Sequence, residues 1–592
     1  MALKTRKEMD AAYQWDLSHI FPTLEAWEQA YSEAELAIDT IAPIRGTLAN
    51  SAASLKAGLD TLYAAAQKVE LVYLYASLDK HGDNGDAAAQ AREGRAMKLY
   101  VKFSTAASFV DPEILAMDEA LLEEYLKDDS LKGYRHIVAD TARARAHTLD
   151  SEKEEMLAML SDAAGGCSNC FDMLESVDMT FPTLTDEAGE EVQLTHANFA
   201  RFRESADRRV RRESFEKYFG EFRRYINTFA AMYGGSVKMD TFYTRVRNYP
   251  SACERALFHS NVPVSVYDSL VEAVRSNICA MESYLALRKK VLGVDELHMY
   301  DLYCPMVEEV DYKLTLEEAE ELVREALAPL GSDYQALLDK AFSEKWMDVY
   351  ENKGKTTGAF SCGVYGVHPY VLLNFTGTLD DAYTMAHELG HAMHSYLSAA
   401  AQEYPVSDYK ILVAEVASTV NEVLLTRHLL KKETDPKRRA YILNHFLEGF
   451  RTTVFRQTLF AEFERCTHEM DQQGEVLTAE SMNALYRRLN EAYYPGVVVD
   501  ELQDIEWARI PHFYNAFYVY QYATGFSSAV AIADAILETG NAENYLCFLS
   551  TGGSDYPLEE LKIAGVDLTE PETVQRALKV FAKTIDELKE LM

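Results

Sequence analysis

Cysteine is scarce in this sequence, with eight residues in 592, and only Cys167 and Cys170 lie close together. A disulfide framework or a zinc knuckle needs more pairs at short spacing, so we expect ordinary reduced thiols. No apolar run of about 18 residues occurs, so the sequence predicts no transmembrane helix. The N-terminal segment has basic residues without an apolar run behind them, unlike a secretory signal. We therefore expect a cytoplasmic protein that does not bind membranes.

Basic residues are outnumbered: 58 lysines and arginines stand against 94 aspartates and glutamates, which gives a net charge of -36. A phosphate backbone attracts basic surface, so nucleic acid is not expected to be the main partner. The negative charge says little about the substrate, because high net charge mainly increases solubility. No feature of the sequence points to a particular oligomeric state.

Proline occurs only 15 times, and so few interruptions permit long helices. Apolar residues recur among charged ones at three- and four-residue spacing, which is the pattern of amphipathic helices. The stretches with this pattern are 24–40, 53–80, 86–108, 151–176, 196–230, 265–292 and 315–345. At 592 residues the chain exceeds the size of one hydrophobic core, so more than one packed region is expected. The sequence predicts a mainly α protein.

Two segments depart from the helical pattern. Residues 180–195 read as a β-hairpin, with two short extended runs around a turn rich in acidic residues and glycine. Residues 358–376 are rich in glycine, aromatic and β-branched residues and poor in charge, which predicts strands. The hairpin suggests a soft domain boundary that divides the chain into residues 1–195 and 196–592.

A metal-binding motif follows the second of these segments. In the predicted helix 378–397, His387 and His391 are four residues apart, so both imidazoles project from one face and can share a metal ion. Glu388 follows the first histidine and can act as a general base on a water at the metal. A random chain of this composition would contain HExxH only about 0.04 times, so an amphipathic helix with two incidental histidines is the weaker interpretation.

A catalytic zinc needs a third protein ligand and one open position. Glu415 sits in the most apolar stretch of the next predicted helix, 408–430, where an unpaired carboxylate would be costly. A metal would remove that cost, as would a buried base. Glu422, seven residues later, lies on nearly the same face and is either an alternative ligand or a partner of one. His394 shares the metal-facing side with His387, and we expect it to support a ligand or to pack.

A third cluster of candidates lies in residues 511–526, PHFYNAFYVYQYATGF. Tyr514, Tyr518 and Tyr522 are spaced by four and would line one helical face, with His512 leading in. Phenol and imidazole donors can stabilise the oxyanion that forms when water attacks a peptide carbonyl. An aromatic stripe of this kind is more often core packing, so spacing alone leaves both interpretations open.

Taken together, these blocks resemble the thimet-oligopeptidase-like metallopeptidases, and specifically their oligoendopeptidase F branch. The blocks are HELGHAMHSY (387–396), VAEVASTVNE (413–422), WDLSHIFPT (15–23), the stretch 184–215, YDLYCP (300–305), HFYNAFYVYQYATGF (512–526) and TGGSDYPLEELKIAGVDLTEP (551–571). The resemblance is therefore nearly full length. It implies one zinc ion per chain, held by His387, His391 and Glu415, with Glu388 as the general base.

The resemblance also implies that His512 and Tyr518 contact the substrate or the developing oxyanion. Thimet-type members place a second tyrosine seven residues after the first, and this sequence has Gly525 there. Tyr514 and Tyr522 are the candidates to replace that hydroxyl as substrate contacts.

A further block, His368–Leu373, is similar to the edge strand with which the family pairs an extended substrate. It makes Tyr370 a candidate substrate contact.

The fold implied is a multi-helix metallopeptidase with a deep substrate channel and a small β-sheet next to the HExxH helix. Residues 196–592 would carry the catalytic zinc region, and 1–195 would help to form the channel. The activity implied is zinc-dependent endopeptidase cleavage of short, unstructured peptides. Two other functions fit parts of the sequence, namely a peptide-binding protein that has lost catalysis and a metal hydrolase of a non-peptide amide.

Overall fold

The computed structural model describes residues 3–307, 310 and 312–592. The α-helices are α1 (Leu24–Asp39), α2 (Ala52–Gly82), α3 (Ala87–Ala107), α4 (Val110–Ala116), α5 (Glu119–Tyr125), α6 (Arg135–Arg143), α7 (Ser151–Ala164), α8 (Gly166–Met173), α9 (His196–Glu204), α10 (Arg208–Arg224), α11 (Ile226–Val246), α12 (Ala252–Phe258), α13 (Val264–Ser276), α14 (Ile278–Leu292), α15 (Leu316–Ala326), α16 (Ser332–Ser343), α17 (Leu379–Ala401), α18 (Ile411–Lys432), α19 (Pro436–Gly449), α20 (Arg456–Gln472), α21 (Ala479–Tyr493), α22 (Tyr520–Thr539), α23 (Glu543–Leu549), α24 (Pro557–Ile563) and α25 (Glu572–Leu591). The strands are β1 (Thr183–Thr185), β2 (Glu191–Gln193), β3 (Leu297–His298), β4 (Met347–Asp348), β5 (Phe360–Cys362), β6 (Tyr370–Leu372) and β7 (Val497–Val498). The protein is mainly α, as the periodicity predicts. Across the described ranges, no helix is long and apolar enough to cross a membrane.

Several predicted helices are divided by local stop signals that periodicity does not detect. The stretch 196–230 contains α9, α10 and α11, and α10 starts where the Asp207 side chain accepts a hydrogen bond from the Arg209 N–H. The stretch 315–345 is divided before Gly331, whose φ of 93° no α-helix allows. The predicted hairpin at 180–195 is present, since β1 pairs antiparallel with β2.

The chain divides into two compact units, each made of three stretches of sequence. Unit 1 contains Met1–Ala146, Tyr312–His428 and Ile532–Val566. Unit 2 contains His147–Asp311, Leu429–Ala531 and Asp567–Met592. The division of the chain into two domains at residue 195 stays a prediction.

Unit 1 is organised around the long helix α2. Fully buried Trp27 of α1 donates its indole N–H to the backbone carbonyl of Val72, at 3.0 Å, and so fixes α1 on α2. Further along α2, Leu74 and Leu78 pack with Trp15 against the buried side chains of β6. The small sheet that precedes the HExxH helix is therefore anchored on α2.

The strand order of this sheet is β4-β6-β5, with β4 parallel and β5 antiparallel to β6. The expectation that the strand at His368–Leu373 lies at an edge is therefore wrong, because β6 is hydrogen bonded on both sides. Tyr370 is fully buried, and its hydroxyl donates to the backbone carbonyl of Asp16 at 3.0 Å. That burial excludes Tyr370 as a surface for substrate. The edge strands of this sheet are β4 and β5.

Unit 2 is held together by aromatic stacking and buried ion pairs. The rings of Phe199 and Tyr218 stack with their centroids 3.8 Å apart. Arg211 pairs with the fully buried Asp301 at 2.9 Å. These contacts join α9 to α10, and α10 to the segment around Tyr300.

Candidate metal centre

Three donor atoms from α17 and α18 converge in unit 1. The Nε2 atoms of His387 and His391 are 3.2 Å apart, as the four-residue spacing on α17 predicts. A carboxylate oxygen of Glu415, on α18, lies 3.6 Å from the first of these nitrogens and 3.8 Å from the second. All three donors fall within 4.8 Å of one another.

The chemistry of this donor set fits a cation. Two imidazole nitrogens that face each other at 3.2 Å cannot both present lone pairs without a proton or a metal ion between them. The carboxylate of Glu415 adds a negative charge at the same point. Two histidines and one carboxylate are a ligand set that catalytic zinc sites use, with a fourth position left for water. His387, His391 and Glu415 therefore suit zinc.

Gly390 allows the two helices to approach closely enough for this convergence. A Cβ atom at this position would lie 2.6 Å from the Cα atom of Ser418 and 2.7 Å from the carbonyl oxygen of Ala417. Asn421 of α18 also donates its side-chain N–H to the carbonyl of Ala386, at 2.9 Å. The middle of α17 thus rests directly on the backbone of α18.

The ring of His387 is oriented from behind by Glu422. A Glu422 carboxylate oxygen is hydrogen bonded to Nδ1 of His387, which leaves Nε2 directed at the three-donor cluster. The ring of His391 is hydrogen bonded to the backbone of Ala414. A carboxylate or carbonyl on the far nitrogen fixes the tautomer and makes the histidine a better ligand. Of the two roles predicted for Glu422, the geometry favours partner of a ligand.

Burial and neighbouring charges shift the pKa values of the histidines in opposite directions. Burial lowers the pKa of His387, but the hydrogen bond and charge of Glu422 outweigh it and raise the pKa to about 9. Burial, together with the charge of His387, lowers the pKa of His391 to about 3. A protonated His387 can thus donate from Nε2 to the His391 nitrogen at 3.2 Å, with the Glu415 carboxylate 3.6 Å away as an ion-pair partner.

Glu388 lies against the edge strand β5. Its side chain is buried, and burial raises its pKa to about 7 against the opposing charge of His387. The backbone N–H of Ser361, in β5, donates to this carboxylate and lowers its pKa. A carboxylate with a pKa near neutrality is suited to take up and release a proton.

The structure corrects the burial predicted for Glu415 and decides between the roles predicted for His394. The neighbours of Glu415, Val413 and Val416, are fully buried, but the Glu415 side chain is 35% exposed. The cost of burying a carboxylate is therefore not the reason for a metal ligand at this position. His394 is fully buried and stacks on Tyr409 with ring centroids 3.6 Å apart. Neither ring nitrogen of His394 has a hydrogen-bond partner within the described part of the chain. Of its two predicted roles, the contacts favour packing.

The histidine and tyrosines of 511–526 belong to unit 2, and they do not lie on one helix as expected. Phe517 has a φ of 60°, which interrupts the backbone, and α22 begins only at Tyr520. The break nevertheless brings three side chains together. The Tyr522 hydroxyl lies 3.5 Å from Nε2 of His512, and the ring of Tyr518 is 5.5 Å from that of Tyr522.

Tyr514 points elsewhere. Its ring packs on Phe171 with centroids 4.7 Å apart and against Tyr233 at 6.2 Å. These ring contacts favour a packing role for Tyr514, and its predicted contact with substrate stays a prediction.

Sequence reasoning missed three residues that shape the centre. Gly390 could have been detected, because a glycine inside a helix lowers helix stability by about 1 kcal/mol relative to alanine. A glycine at such a position usually indicates a close packing contact. Asn421 is polar in an apolar stretch of α18, which is also a signal. Ser361 had none, because its contribution to Glu388 comes from the backbone.

We compared the chain with models of known protein families and with individual known proteins. A family model of peptidase family M3 matches residues 201–580, and a model of oligopeptidase F matches residues 113–181. The chain belongs to peptidase family M3. The resemblance to this family is therefore confirmed, and the protein is a peptidase.

Individual relatives agree along the full length of this M3 peptidase. It is 43% identical to the oligopeptidase PepF of Bacillus subtilis over 594 residues. This alignment covers 100% of this chain and 89% of the relative. The solved structure of oligoendopeptidase-F from Enterococcus faecium matches with a TM-score of 0.74 and 37% identity over 96% of this chain and 99% of that one. A chain from Chlamydophila abortus matches with a TM-score of 0.93 and 34% identity over 100% of both.

Proposed function

We propose that this M3 peptidase is a zinc-dependent endopeptidase that hydrolyses short, unstructured peptides. The observation that carries the proposal is the convergence of His387, His391 and Glu415 within 4.8 Å. The hydrogen bond of Glu422 to the far nitrogen of His387 adds support, because it gives the ring the orientation a ligand needs. We propose one zinc ion per chain, because the described residues contain one such cluster.

Zinc at this position would supply a positive charge that polarises the scissile carbonyl and lowers the pKa of the attacking water. The other steps belong to side chains. Glu388 takes the proton from the attacking water and later delivers it to the leaving amine. The Ser361 N–H holds the Glu388 carboxylate in place for both transfers. Burial raises the pKa of Glu388, which favours the uptake of a proton by this carboxylate.

The free edge of β5 is the proposed docking strand for the peptide backbone. The N–H of Val371, in β6, donates to the backbone carbonyl of Trp346, next to β4, at 2.9 Å. Val371 therefore forms a non-hydrogen-bonded pair with Ser361, its partner in β5. The backbone of Ser361 is therefore directed out of the sheet, where its N–H donates to Glu388 and its carbonyl can accept a hydrogen bond. An extended peptide can add to this edge through a backbone N–H that donates to the Ser361 carbonyl.

His512 and Tyr518 are proposed to stabilise the oxyanion of the tetrahedral intermediate. The cluster they form with Tyr522 supports this assignment, since two phenols and one imidazole share one place in unit 2. Tyr522 is the proposed replacement for the tyrosine that this sequence lacks at Gly525.

The proposed substrate class is supported by relatives that are named as oligopeptidases or oligoendopeptidases. A deep channel and a cytoplasmic location belong to the same proposal, as does the absence of nucleic acid and membranes among the partners. Unfolding a protein domain would cost about 5–15 kcal/mol, which hydrolysis at a passive site does not supply. Folded proteins should therefore resist cleavage.

The test is cleavage of a nested peptide series and of a reduced, unfolded protein, each with and without a chelator. We expect short peptides to be cut, the chelator to stop the reaction and zinc to restore it. Binding without cleavage would support the non-catalytic alternative. Chelator-sensitive hydrolysis of simple amides but not of peptides would support the non-peptide hydrolase. Efficient internal cleavage of the long unfolded chain would contradict the enclosed channel.

A further inference from the structure

An apolar cavity lies beside the proposed docking strand, within unit 1. Its volume is about 330 Å³, and it lies between α2, α3 and β5. The side chains that define it are Tyr73, Leu74, Ser77, Tyr100, Phe360 and Cys362. Its size is at the lower end of the range for ligand pockets, which suits one large side chain rather than a whole molecule.

The position of this cavity relative to β5 follows from the alternation of strand side chains. Phe360 and Cys362 pack on the α2 side of the sheet, in the cluster that includes Leu74 and Leu78. The backbone N–H of Ser361, between them, is directed out of the edge of the sheet and reaches Glu388. β5 thus has the catalytic carboxylate at its outer edge and the cavity beside the face of Phe360 and Cys362.

A peptide paired with the edge of β5 must follow the same alternation. The substrate residue opposite Ser361 directs its side chain to the face opposite that of Phe360 and Cys362. The residues immediately before and after it direct theirs to the face of Phe360 and Cys362, where the cavity lies. Any peptide bound in this way therefore presents a side chain to the cavity.

We propose that this cavity is a specificity pocket that receives a large apolar or aromatic side chain of the peptide, from a residue adjacent to the one opposite Ser361. The inference rests on the proposed function, since it requires a peptide on β5. It adds a determinant of which peptides are cut. Leu74 and Leu78 form its floor and are buried, so an apolar side chain would exchange water for contact with them.

Two ionisable side chains that line the cavity, Glu70 and His81, already have hydrogen-bond partners. Glu70, at one end, is hydrogen bonded to Tyr404. His81 is hydrogen bonded through Nδ1 to the Thr356 hydroxyl at 2.8 Å. A substrate carboxylate would therefore gain no free cation here and would be repelled by Glu70, so acidic residues should be disfavoured.

Ser77 is the residue best placed to report on the pocket. It lies on α2 four residues after Tyr73 and four before His81, so all three share the helix face that lines the cavity. Replacing Ser77 with phenylalanine would fill the cavity from its own wall. Ala57, exposed on the same helix, provides a matched control that adds the same ring outside the cavity.

The test is a set of peptides that differ at one position, with Ala, Leu, Phe, Lys or Asp at each of the three residues on either side of the cleaved bond. For the zinc-loaded wild type, we expect one position at which Phe or Leu raises kcat/KM about 10- to 100-fold over Ala. Ser77→Phe should reduce this ratio to within about threefold of unity, whereas Ala57→Phe should retain it.

The outcomes separate this inference from the function on which it rests. Chelator-sensitive cleavage of the alanine peptides with no apolar preference at any position would overturn the pocket alone. A preference for Lys over Phe and Leu at the position that Ser77→Phe affects would overturn its apolar character. Failure of the zinc-loaded wild type to cut any peptide would overturn the proposed function and the pocket with it. The wild-type series decides these points even if Ser77→Phe does not fold.

Discussion

Replacing Gly390 with alanine tests whether the close approach of α17 and α18 forms the metal centre. The added Cβ would lie 2.6 Å from the Cα atom of Ser418 and 2.7 Å from the carbonyl oxygen of Ala417. Both are backbone atoms of α18, so no side-chain rotation can relieve the contact. Ordinary contact begins at 3.4 Å, so the helices must separate locally by about 0.8 Å, and overpacking of this kind costs about 1–3 kcal/mol.

The separation acts directly on the donors. Glu415 lies one turn before the contact on α18, while His387 and His391 flank Gly390 on α17. Metal–ligand distances in proteins hold to within about 0.2 Å, so a shift of about 0.8 Å is too large to leave all three ligands in place. We expect zinc affinity to fall by at least the 10- to 100-fold typical of lost supporting contacts, with peptidase activity falling in parallel at limiting zinc.

Zinc affinity is measured by competition with a chromophoric chelator, and thermal unfolding is followed on the same sample. The matched control is Gly94→Ala, also inside a helix of unit 1 but with nothing within 4 Å of the added Cβ. The control should keep its zinc and gain up to about 1 kcal/mol from better helix propensity. Wild-type zinc affinity in Gly390→Ala would refute the reasoning, because it would mean that α18 can retreat without moving its ligand.

Three further predictions concern individual groups. Glu415→Ala should lose zinc, whereas Glu422→Ala should weaken zinc binding about 10- to 100-fold, and metal analysis showing the reverse order would exchange their roles. Tyr518→Phe should lower kcat about 10²–10³-fold with unchanged zinc content, while Tyr514→Phe should stay near wild type, and an effect of Tyr518→Phe below about threefold would return it to core packing. With the pKa of His387 at about 9 in the metal-free chain, zinc must displace a proton below that pH, so zinc affinity should fall as the pH is lowered from 9. Calorimetry in buffers of different ionisation heat should then register about one proton released per zinc near pH 7.5, and no release would contradict that assignment.

The metal centre could be predicted from the sequence because its geometry is local. The spacing of His387 and His391 fixes their common face on any α-helix. Glu415 could be placed on the following helix, although the reason given for it was incomplete, since its side chain is 35% exposed. The convergence of the donors depends on Gly390 and on the crossing of two helices, which periodicity does not describe.

The errors have a different physical origin. Whether β6 is central depends on a two-residue strand, Met347–Asp348, which pairs with it from a separate part of the chain and carries almost no signal of its own. The tyrosine stripe failed because Phe517 adopts a positive φ that only tertiary contacts can impose on such a residue. Long helices were divided by caps such as Asp207, which act over one turn and are hidden within an amphipathic pattern.

The most direct test of the central claim is to measure zinc content and peptide turnover on one sample of Glu388→Gln. Glu388 adjoins the ligand His387 but is not among the three converging donors. If it is the general base, the variant should bind one zinc per chain like the wild type and lose about 10²–10⁴-fold in kcat. Full zinc occupancy with near-normal, chelator-sensitive turnover would contradict the account, because another group would then be moving the proton.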